Sequence, residues 1–247
     1  MAREARQHLL NIYQQDRDWE KAVETARLLS HDDQTYQFEI AQFYCELAQA
    51  ALFKSNFDVA RFNVGKALEA NKKCTRANMI LGDIEHRQGN FPAAVEAYAA
   101  IEQQNHAYLS MVGEKLYEAY AAQGKPEEGL NRLTGYMQTF PELDLINVVY
   151  EKSLLLKCEK EAAQTAVELV RRKPDLNGVY RLLGLKLSDM NPAWKADADM
   201  MRSVIGRQLQ RSVMYRCRNC HFKSQVFFWH CPACNKWQTF TPNKIEV

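Results

Sequence analysis

Small and apolar residues recur along most of the chain with the spacing of helices, and the pattern restarts roughly every 34 residues. One clear element of the repeat runs from Gly89 to Tyr98, where a turn is followed by an apolar helix face. Related stretches begin at four other positions: Arg17, Ser55, Gly124 and Lys157. Because a single helix pair cannot bury its apolar face, the pattern predicts five pairs that stack in series.

The residues at fixed places in each unit resemble the tetratricopeptide repeat. Leu81 and Gly82 occupy the small-residue pair of the first helix, and Gly89 occupies the turn. Ala94 and Tyr98 supply the small residue and the aromatic ring of the second helix. The resemblance implies a mainly α fold, in which the helix pairs over residues 1–212 form a right-handed superhelix.

A final helix pair is expected after the fifth repeat. Residues 179–184 carry the pattern of its first helix. Pro192 suits the first turn of its second helix, and Asn191 suits the capping position just before. This second helix, over residues 192–212, leads straight into the C-terminal segment, so we expect the two to be held rigidly.

The C-terminal segment, residues 213–247, is called the ribbon here because it holds two Cys-x-x-Cys pairs separated by ten residues. The pairs are Cys217 with Cys220 and Cys231 with Cys234. A short hairpin can fold one pair over the other, and a divalent ion can then hold four thiolates in a tetrahedron. Two disulfides are the alternative. Because the sequence shows no secretory signal, the spacing favours a metal site.

The neighbours of the cysteines also suit a metal site. Pro232 stiffens the second pair by fixing φ. His221 and Asn235 follow the pairs at positions where a positive φ turns backbone N–H groups toward sulfur. Zinc in such a site is structural, whereas iron in four thiolates forms a rubredoxin-type centre that can carry an electron. The spacing alone favours zinc, and four protein ligands leave no open position for hydrolytic metal catalysis.

Aromatic residues surround the cysteines, in the run from Val226 to Trp229 and at Trp237 and Phe240. We expect them to cover the sulfurs or to pack against the final helix, and a binding patch is the alternative.

The final helix is itself basic and amphipathic. It is expected either to pack on the ribbon or to rest on an anionic membrane surface.

Charge is distributed unevenly, although the formal total is only +2. Residues 202–247 hold eight Lys and Arg against Glu246 alone, whereas the rest of the chain holds 24 bases against 29 acids. A basic C-terminal part favours an acidic protein, an anionic membrane or nucleic acid as a partner. The sequence has no array of arginines and stacked aromatic residues of the kind that binds nucleic acid, so nucleic acid is not an expected partner.

The first helices of tetratricopeptide repeats line a concave face that can bind an extended peptide or a helix of another protein. In the repeat register, the exposed positions of this face include Gln42 and Cys45. The candidates for binding a protein partner are five charged residues on the same face: Arg76, Asp83, Arg87, Glu114 and Glu118. For each of them, an ordinary solvated helix face is the alternative.

Catalytic motifs are lacking in the sequence, so no enzymatic activity is expected. There is no phosphate-binding loop, no His-Glu-x-x-His zinc motif and no Gly-x-Ser-x-Gly turn, and the six histidines are scattered. Cys45, Cys74 and Cys158 lie within the repeats and are expected to be small packing residues. No stretch reaches the roughly eighteen apolar residues that a membrane helix requires.

Tetratricopeptide repeats followed by Cys-x-x-Cys, ten residues and Cys-Pro-x-Cys resemble one family in particular, the bacterial lipopolysaccharide assembly protein B family. Trp229 and His230 before the second pair, and Trp237 after it, add to the resemblance. Members of that family carry an N-terminal membrane helix ahead of cytoplasmic repeats. Because the first six residues here are already helical in pattern, we expect an upstream segment that this sequence does not include.

The resemblance implies a non-enzymatic adaptor at the cytoplasmic face of the inner membrane of Gram-negative bacteria. The partners implied are the membrane-bound FtsH protease, the lipid A deacetylase that it degrades, and other lipopolysaccharide assembly proteins. The resemblance also implies one iron ion in a rubredoxin-type domain, held by Cys217, Cys220, Cys231 and Cys234. The sequence leaves open whether the chain is a monomer or a homo-oligomer.

Overall fold

The computed structural model describes residues 2–30, 36–157, 159–172, 174, 176–187, 190–242 and 245–246. Within these ranges the chain is mainly helical, with a small antiparallel sheet near its end, as the sequence predicts. The helices are α1 Ala2–Asp16, α2 Trp19–Ser30, α3 Tyr36–Phe53, α4 Phe57–Ala70, α5 Thr75–Arg87, α6 Phe91–Ala99, α7 Ile101–Asn105, α8 Leu109–Ala122, α9 Pro126–Thr139, α10 Ile146–Leu156, α11 Glu159–Arg172, α12 Leu176–Lys186 and α13 Pro192–Ser212. The strands are β1 Val213–Arg216, β2 Lys223–Ser224 and β3 Ile245–Glu246, and His106–Tyr108 forms one 3-10 turn.

The chain divides into two compact units, Met1–His106 and Ala107–Val247. The first unit contains the helix pairs α1/α2, α3/α4 and α5/α6, together with α7. The second unit contains the pairs α8/α9, α10/α11 and α12/α13, together with the strands. The predicted boundary between repeats and ribbon stays a prediction; α13 ends at Ser212 and β1 begins at Val213.

The first four predicted turns share one conformation, in which the turn residue has a positive φ. The angle is 56° at Arg17 and Ser55, 76° at Gly89 and 74° at Gly124. In each turn, the N–H of the next residue donates to the carbonyl five positions earlier, at 2.9 or 3.0 Å. This bond belongs to the Schellman motif, which satisfies the last carbonyls of a helix and reverses the chain. The four turns therefore confirm the predicted starts of these repeats.

In the first unit, the packing of α5 against α6 depends on the small and aromatic residues that the repeat pattern identifies. Ala94 and Tyr98 are fully buried. The Tyr98 ring lies directly on Gly82, where an added Cβ would overlap the ring. The Tyr98 hydroxyl donates to Asp83 Oδ1 at 2.6 Å. The predicted roles of Gly82, Ala94 and Tyr98 are thus confirmed.

In the second unit, Gly113 of α8 plays a comparable part, since an added Cβ would overlap the buried side chain of Leu145.

The fifth predicted turn of the chain differs from the first four. Lys157 ends α10 in extended backbone, with φ −126° and ψ 166°. The next residue, Cys158, lies outside the described part of the chain.

The final helix pair forms as predicted, from α12 and α13. Asn191 caps α13 through its side chain, since Oδ1 accepts a hydrogen bond from the N–H of Ala193 at 3.0 Å. Pro192, which has no N–H to lose, occupies the first helical position. The chain passes from α13 directly into β1, which lies between β2 and β3 in the antiparallel sheet.

Among the described helices, none combines the length and apolar character needed to cross a membrane.

Candidate metal centre

The ribbon brings the four predicted cysteines together around one point. All four Sγ atoms, those of Cys217, Cys220, Cys231 and Cys234, lie within 4.8 Å of one another. The distance is 3.8 Å between Cys217 and Cys234 and 3.7 Å between Cys220 and Cys231. Four sulfurs placed about 2.3 Å from a central ion are about 3.8 Å apart along each edge of the tetrahedron. The cysteines are therefore positioned to bind one metal ion, and the sulfurs are too far apart for the disulfide alternative.

The first Cys-x-x-Cys turn is closed by backbone hydrogen bonds around Cys217. The N–H of Cys217 donates to the carbonyl of Phe222 at 2.9 Å, and the N–H of His221 donates back to the carbonyl of Cys217 at 3.0 Å. His221 has φ 62°, as predicted. The N–H of Cys220 then points at Cys217 Sγ from 3.5 Å.

The second turn repeats this bonding pattern around Cys231. Its N–H donates to the carbonyl of Lys236 at 3.0 Å, and the N–H of Asn235 donates to the carbonyl of Cys231 at 2.9 Å. Asn235 has φ 53°, again as predicted. Two matched turns of this kind direct both cysteine pairs at one place from opposite sides.

In the absence of a metal ion, the surroundings shift the pKa values of the two buried thiols in opposite directions. Burial raises the pKa of the Cys231 thiol to about 12. Burial also opposes ionisation of Cys217, but hydrogen bonds from the Thr239 side chain and from the backbone N–H groups of Cys220 and Asn219 outweigh it and lower the pKa to about 6. The site thus already contains donors directed at thiolate sulfur, which is the form that binds a metal.

An aromatic shell covers the buried side of the cysteines, as predicted for part of the aromatic run. Phe240 is buried with Cys217 and Cys231, and Phe227 and Phe228 pack against this cluster. Phe228 and Phe240 meet edge to face, with centroids 5.7 Å apart. These rings keep water away from one side of the sulfurs.

One aromatic side chain of the run has a different role. Trp229 stacks on Tyr108, with ring centroids 5.0 Å apart and an interplanar angle of 10°. Phe227 meets the same tyrosine edge to face at 6.3 Å. Both rings thus also contact the turn that precedes α8, a partner beyond the sulfurs and the final helix that the sequence analysis named. The sequence gives no signal for this contact.

The candidate partner-binding residues of the first unit are mostly engaged within that unit. Arg76 is buried, at 5% exposure, and its Nη2 lies 2.8 Å from Glu46 Oε1. Asp83 accepts the hydrogen bond from Tyr98, and Arg87 Nη1 donates to the carbonyl of Leu52 at 3.2 Å. Arg87 still exposes much of its side chain.

Three positions that the repeat register places on the exposed face are buried instead, so this expectation is wrong for them. They are Gln42, Cys45 and Arg76. The cause is close packing of α3 against α5, which brings Cys45 Sγ to 3.7 Å from Cys74 Sγ. Both cysteines are buried in the core, as expected of packing residues.

In the second unit, Glu114 and Glu118 both lie on the exposed side of α8. Glu114 Oε1 pairs with Lys152 Nζ of α10 at 3.0 Å. A partner-binding role for Arg76, Asp83, Arg87, Glu114 and Glu118 stays a prediction.

Two known families match parts of the chain. The family described as a rubredoxin metal binding domain matches residues 215–242, and the tetratricopeptide repeat matches residues 45–108. Both matches agree with the elements that the structure contains there.

The whole chain is similar to curated proteins named lipopolysaccharide assembly protein B. It is 28% identical to the protein of Escherichia coli K12 over 96% of this chain, and 27% identical to that of Haemophilus influenzae over 98%. It spans 62% and 61% of their lengths. The resemblance drawn from the sequence is thus confirmed.

Among solved structures, the chain is similar to pilF of Pseudomonas aeruginosa. The TM-score is 0.46 and the identity 18%, over 85% of this chain and 91% of that one.

Proposed function

We propose that this chain, as a relative of lipopolysaccharide assembly protein B, acts as a non-enzymatic adaptor that regulates lipopolysaccharide synthesis. The observation that carries the proposal is the combination of tetratricopeptide helix pairs and a four-cysteine ribbon in one chain, with similarity to those proteins over 96% of its length. Helix pairs of this type serve as rigid surfaces for binding other proteins. The adaptor works at the cytoplasmic face of the inner membrane.

The adaptor promotes destruction of the lipid A deacetylase by a membrane-bound FtsH-type protease. Binding both proteins at once raises the effective concentration of one near the other and requires no chemistry from the adaptor. Arg87, Glu114 and Glu118 expose charged groups for such contacts, which supports their assignment to the partner surface. Arg76 and Asp83 contribute by holding α5, the helix that presents Arg87, against α3 and α6.

One metal ion holds the ribbon together in this proposal. Cys217, Cys220, Cys231 and Cys234 are its ligands, and four thiolates complete a tetrahedral shell. The family resemblance favours iron and the cysteine spacing favours zinc. Elemental analysis of protein purified without added metal, from cells supplied with both ions, decides between them.

The adaptor role is tested by the lifetime of the deacetylase. In a Gram-negative host that lacks its own assembly protein B, the full-length gene that encodes this chain should shorten the deacetylase half-life, and only while the FtsH protease is active. Glu114→Ala combined with Glu118→Ala should lengthen the half-life again. Glu24→Ala, which alters an exposed glutamate of α2, serves as the control. An unchanged half-life with the unaltered gene would overturn the proposal.

Electron transfer is a second candidate function, and one observation favours it. Cys220 is exposed, so one ligand of the centre lies at the surface, where an electron could pass to a partner. This function predicts an iron-loaded protein whose visible absorbance bleaches on reduction and returns on oxidation. A zinc-loaded, colourless protein that still shortens the deacetylase half-life would rule it out.

A further inference from the structure

A cavity in the second unit has a lining that neither the adaptor role nor the metal centre explains. It lies where α10, α11, α12 and α13 meet, and its volume is about 200 Å³. Apolar and cationic groups line it together: Ile146, Tyr150, Ala166, Arg181, Gly184 and Arg202. A cavity of this size accommodates a small organic group as well as an ion.

The two arginines of the cavity have no acidic partner in the part of the chain that the structure describes. The Nε atoms of Arg181 and Arg202 are both buried, and neither donates a hydrogen bond to any described residue. Both guanidinium groups are placed by the ring of Tyr180, at 5.8 Å and 4.7 Å from its centroid. Two positive charges therefore lie at one cavity, with buried donors available to an acceptor.

Two glycines make room for this arrangement. A Cβ on Gly184 would lie 3.0 Å from Nε of Arg202, and a Cβ on Gly206 would lie 3.0 Å from the Tyr180 ring. Because neither glycine has a side chain, Arg202 lies close to the backbone of α12, and Tyr180 lies close to that of α13. Arg202 is consequently held in place at the cavity by packing, whereas an exposed arginine would sample many conformations.

We propose that this cavity binds the phosphate group of a phosphate monoester. A phosphate monoester carries a charge of about −1.5 to −2 near pH 7, which matches two guanidinium groups, whereas a carboxylate neutralises only one. Arginine binds phosphate through pairs of parallel N–H groups, so Nε donors are suited to this ligand. The apolar side chains of Ile146 and Ala166 face the same cavity and accommodate the organic part of the ligand.

Such a phosphate has two possible sources, a soluble metabolite or the headgroup of a lipid, and separate probes distinguish them. Isothermal titration of the whole chain with glycerol 3-phosphate tests the soluble source. Flotation with vesicles of phosphatidylcholine containing phosphatidic acid tests the lipid source, with phosphatidylcholine alone as the reference. Sodium acetate is the third probe, because it carries a carboxylate in place of the phosphate.

Site-directed variants connect the binding to the cavity. Arg181→Gln and Arg202→Gln should each weaken phosphate binding by about tenfold or more, because each removes one charge-assisted donor group. Arg207→Gln is the matched control, since Arg207 is an exposed arginine on the same helix as Arg202. Far-ultraviolet circular dichroism establishes that each variant is folded; if Arg202→Gln is not, Arg181→Gln alone decides.

The proposal is overturned if neither phosphate probe binds, if acetate binds as tightly as glycerol 3-phosphate, or if Arg207→Gln weakens binding as much as the cavity variants. These outcomes are independent of the adaptor role, because they are measured on the isolated chain without protease or deacetylase.

Discussion

Trp229 of the ribbon and Tyr108 before α8 stack face to face, with centroids 5.0 Å apart and planes 10° from parallel. They are far apart in sequence, and the tyrosine is almost fully buried. The ribbon is consequently fixed at two places in its own unit, through the end of α13 and through this ring pair.

Removal of the stack should loosen the ribbon without removing its metal. Trp229→Ala should lower the free energy of unfolding by about 1–3 kcal/mol, since an aromatic pair contributes beyond the apolar area that it buries. Hydrogen exchange of residues 215–242 should become faster, while metal content stays at one ion per chain. Val226→Ala, at a side chain that is 60% exposed in the same segment, is the control. Equal exchange rates in both variants would contradict the anchoring role.

Loss of two thiolate ligands should unfold the ribbon, because the free energy of metal binding largely supplies its folding free energy. Cys217→Ser combined with Cys220→Ser should abolish stoichiometric metal binding and lower the thermal unfolding midpoint, as measured by elemental analysis and calorimetry. The control is Cys45→Ala with Cys74→Ala, which removes two buried thiols far from the ribbon in sequence and should keep the metal. Retained metal and an unchanged midpoint in the first variant would show that the four sulfurs do not hold an ion.

Close contact between Gly82 and Tyr98 makes α5 sensitive to a single methyl group. Gly82→Ala should lower the free energy of unfolding by about 1–3 kcal/mol, because the ring has to move and its hydrogen bond to Asp83 is lost. Gly65→Ala is the matched control. It lies within α4 with no heavy atom within 4 Å of an added Cβ, and it should raise stability by about 0.5–1 kcal/mol. Denaturant unfolding that gave the same sign for both would refute this packing.

Glu39 should make stability depend on pH. Burial raises the pKa of its carboxyl above the ordinary 4.5. The charged form therefore costs stability above the folded-state pKa, and that cost shrinks as the pH falls from there to 4.5 and is gone only below 4.5. Glu39→Gln should therefore raise the free energy of unfolding near pH 7, and the gain should vanish at about pH 3.5, below the unfolded-state pKa. Denaturant unfolding at both values measures the effect, with the exposed Glu24→Gln as control. A gain of the same size at both values would count against burial as the cause.

Local features of the fold could be predicted because they are encoded by residues that are close in sequence. Arg17 and Gly89 mark turns through the repeat period alone, and the Cys-x-x-Cys turns contain all the atoms that their hydrogen bonds require. The cluster of four cysteines could be predicted for the same reason, since both pairs lie within eighteen consecutive residues, from 217 to 234.

Contacts between distant segments could not be predicted. Burial of Arg76 depends on the distance between α3 and α5, and helix periodicity gives the direction of a side chain but not the distance to the neighbouring helix. The stack of Trp229 on Tyr108 depends on where the ribbon lies after the final helix. That Arg181 and Arg202 line one cavity is likewise apparent only after α12 and α13 are packed together.

The direct passage from α13 to β1 has a mechanical consequence. With no linker between Ser212 and Val213, the orientation of the ribbon about the axis of α13 is set by the number of residues in that helix. One residue inserted near the helix end would rotate everything beyond it by about 100° and advance it by about 1.5 Å. The length of α13 therefore determines the direction in which the ribbon faces. A single added or deleted codon there would turn Trp229 away from Tyr108, its stacking partner.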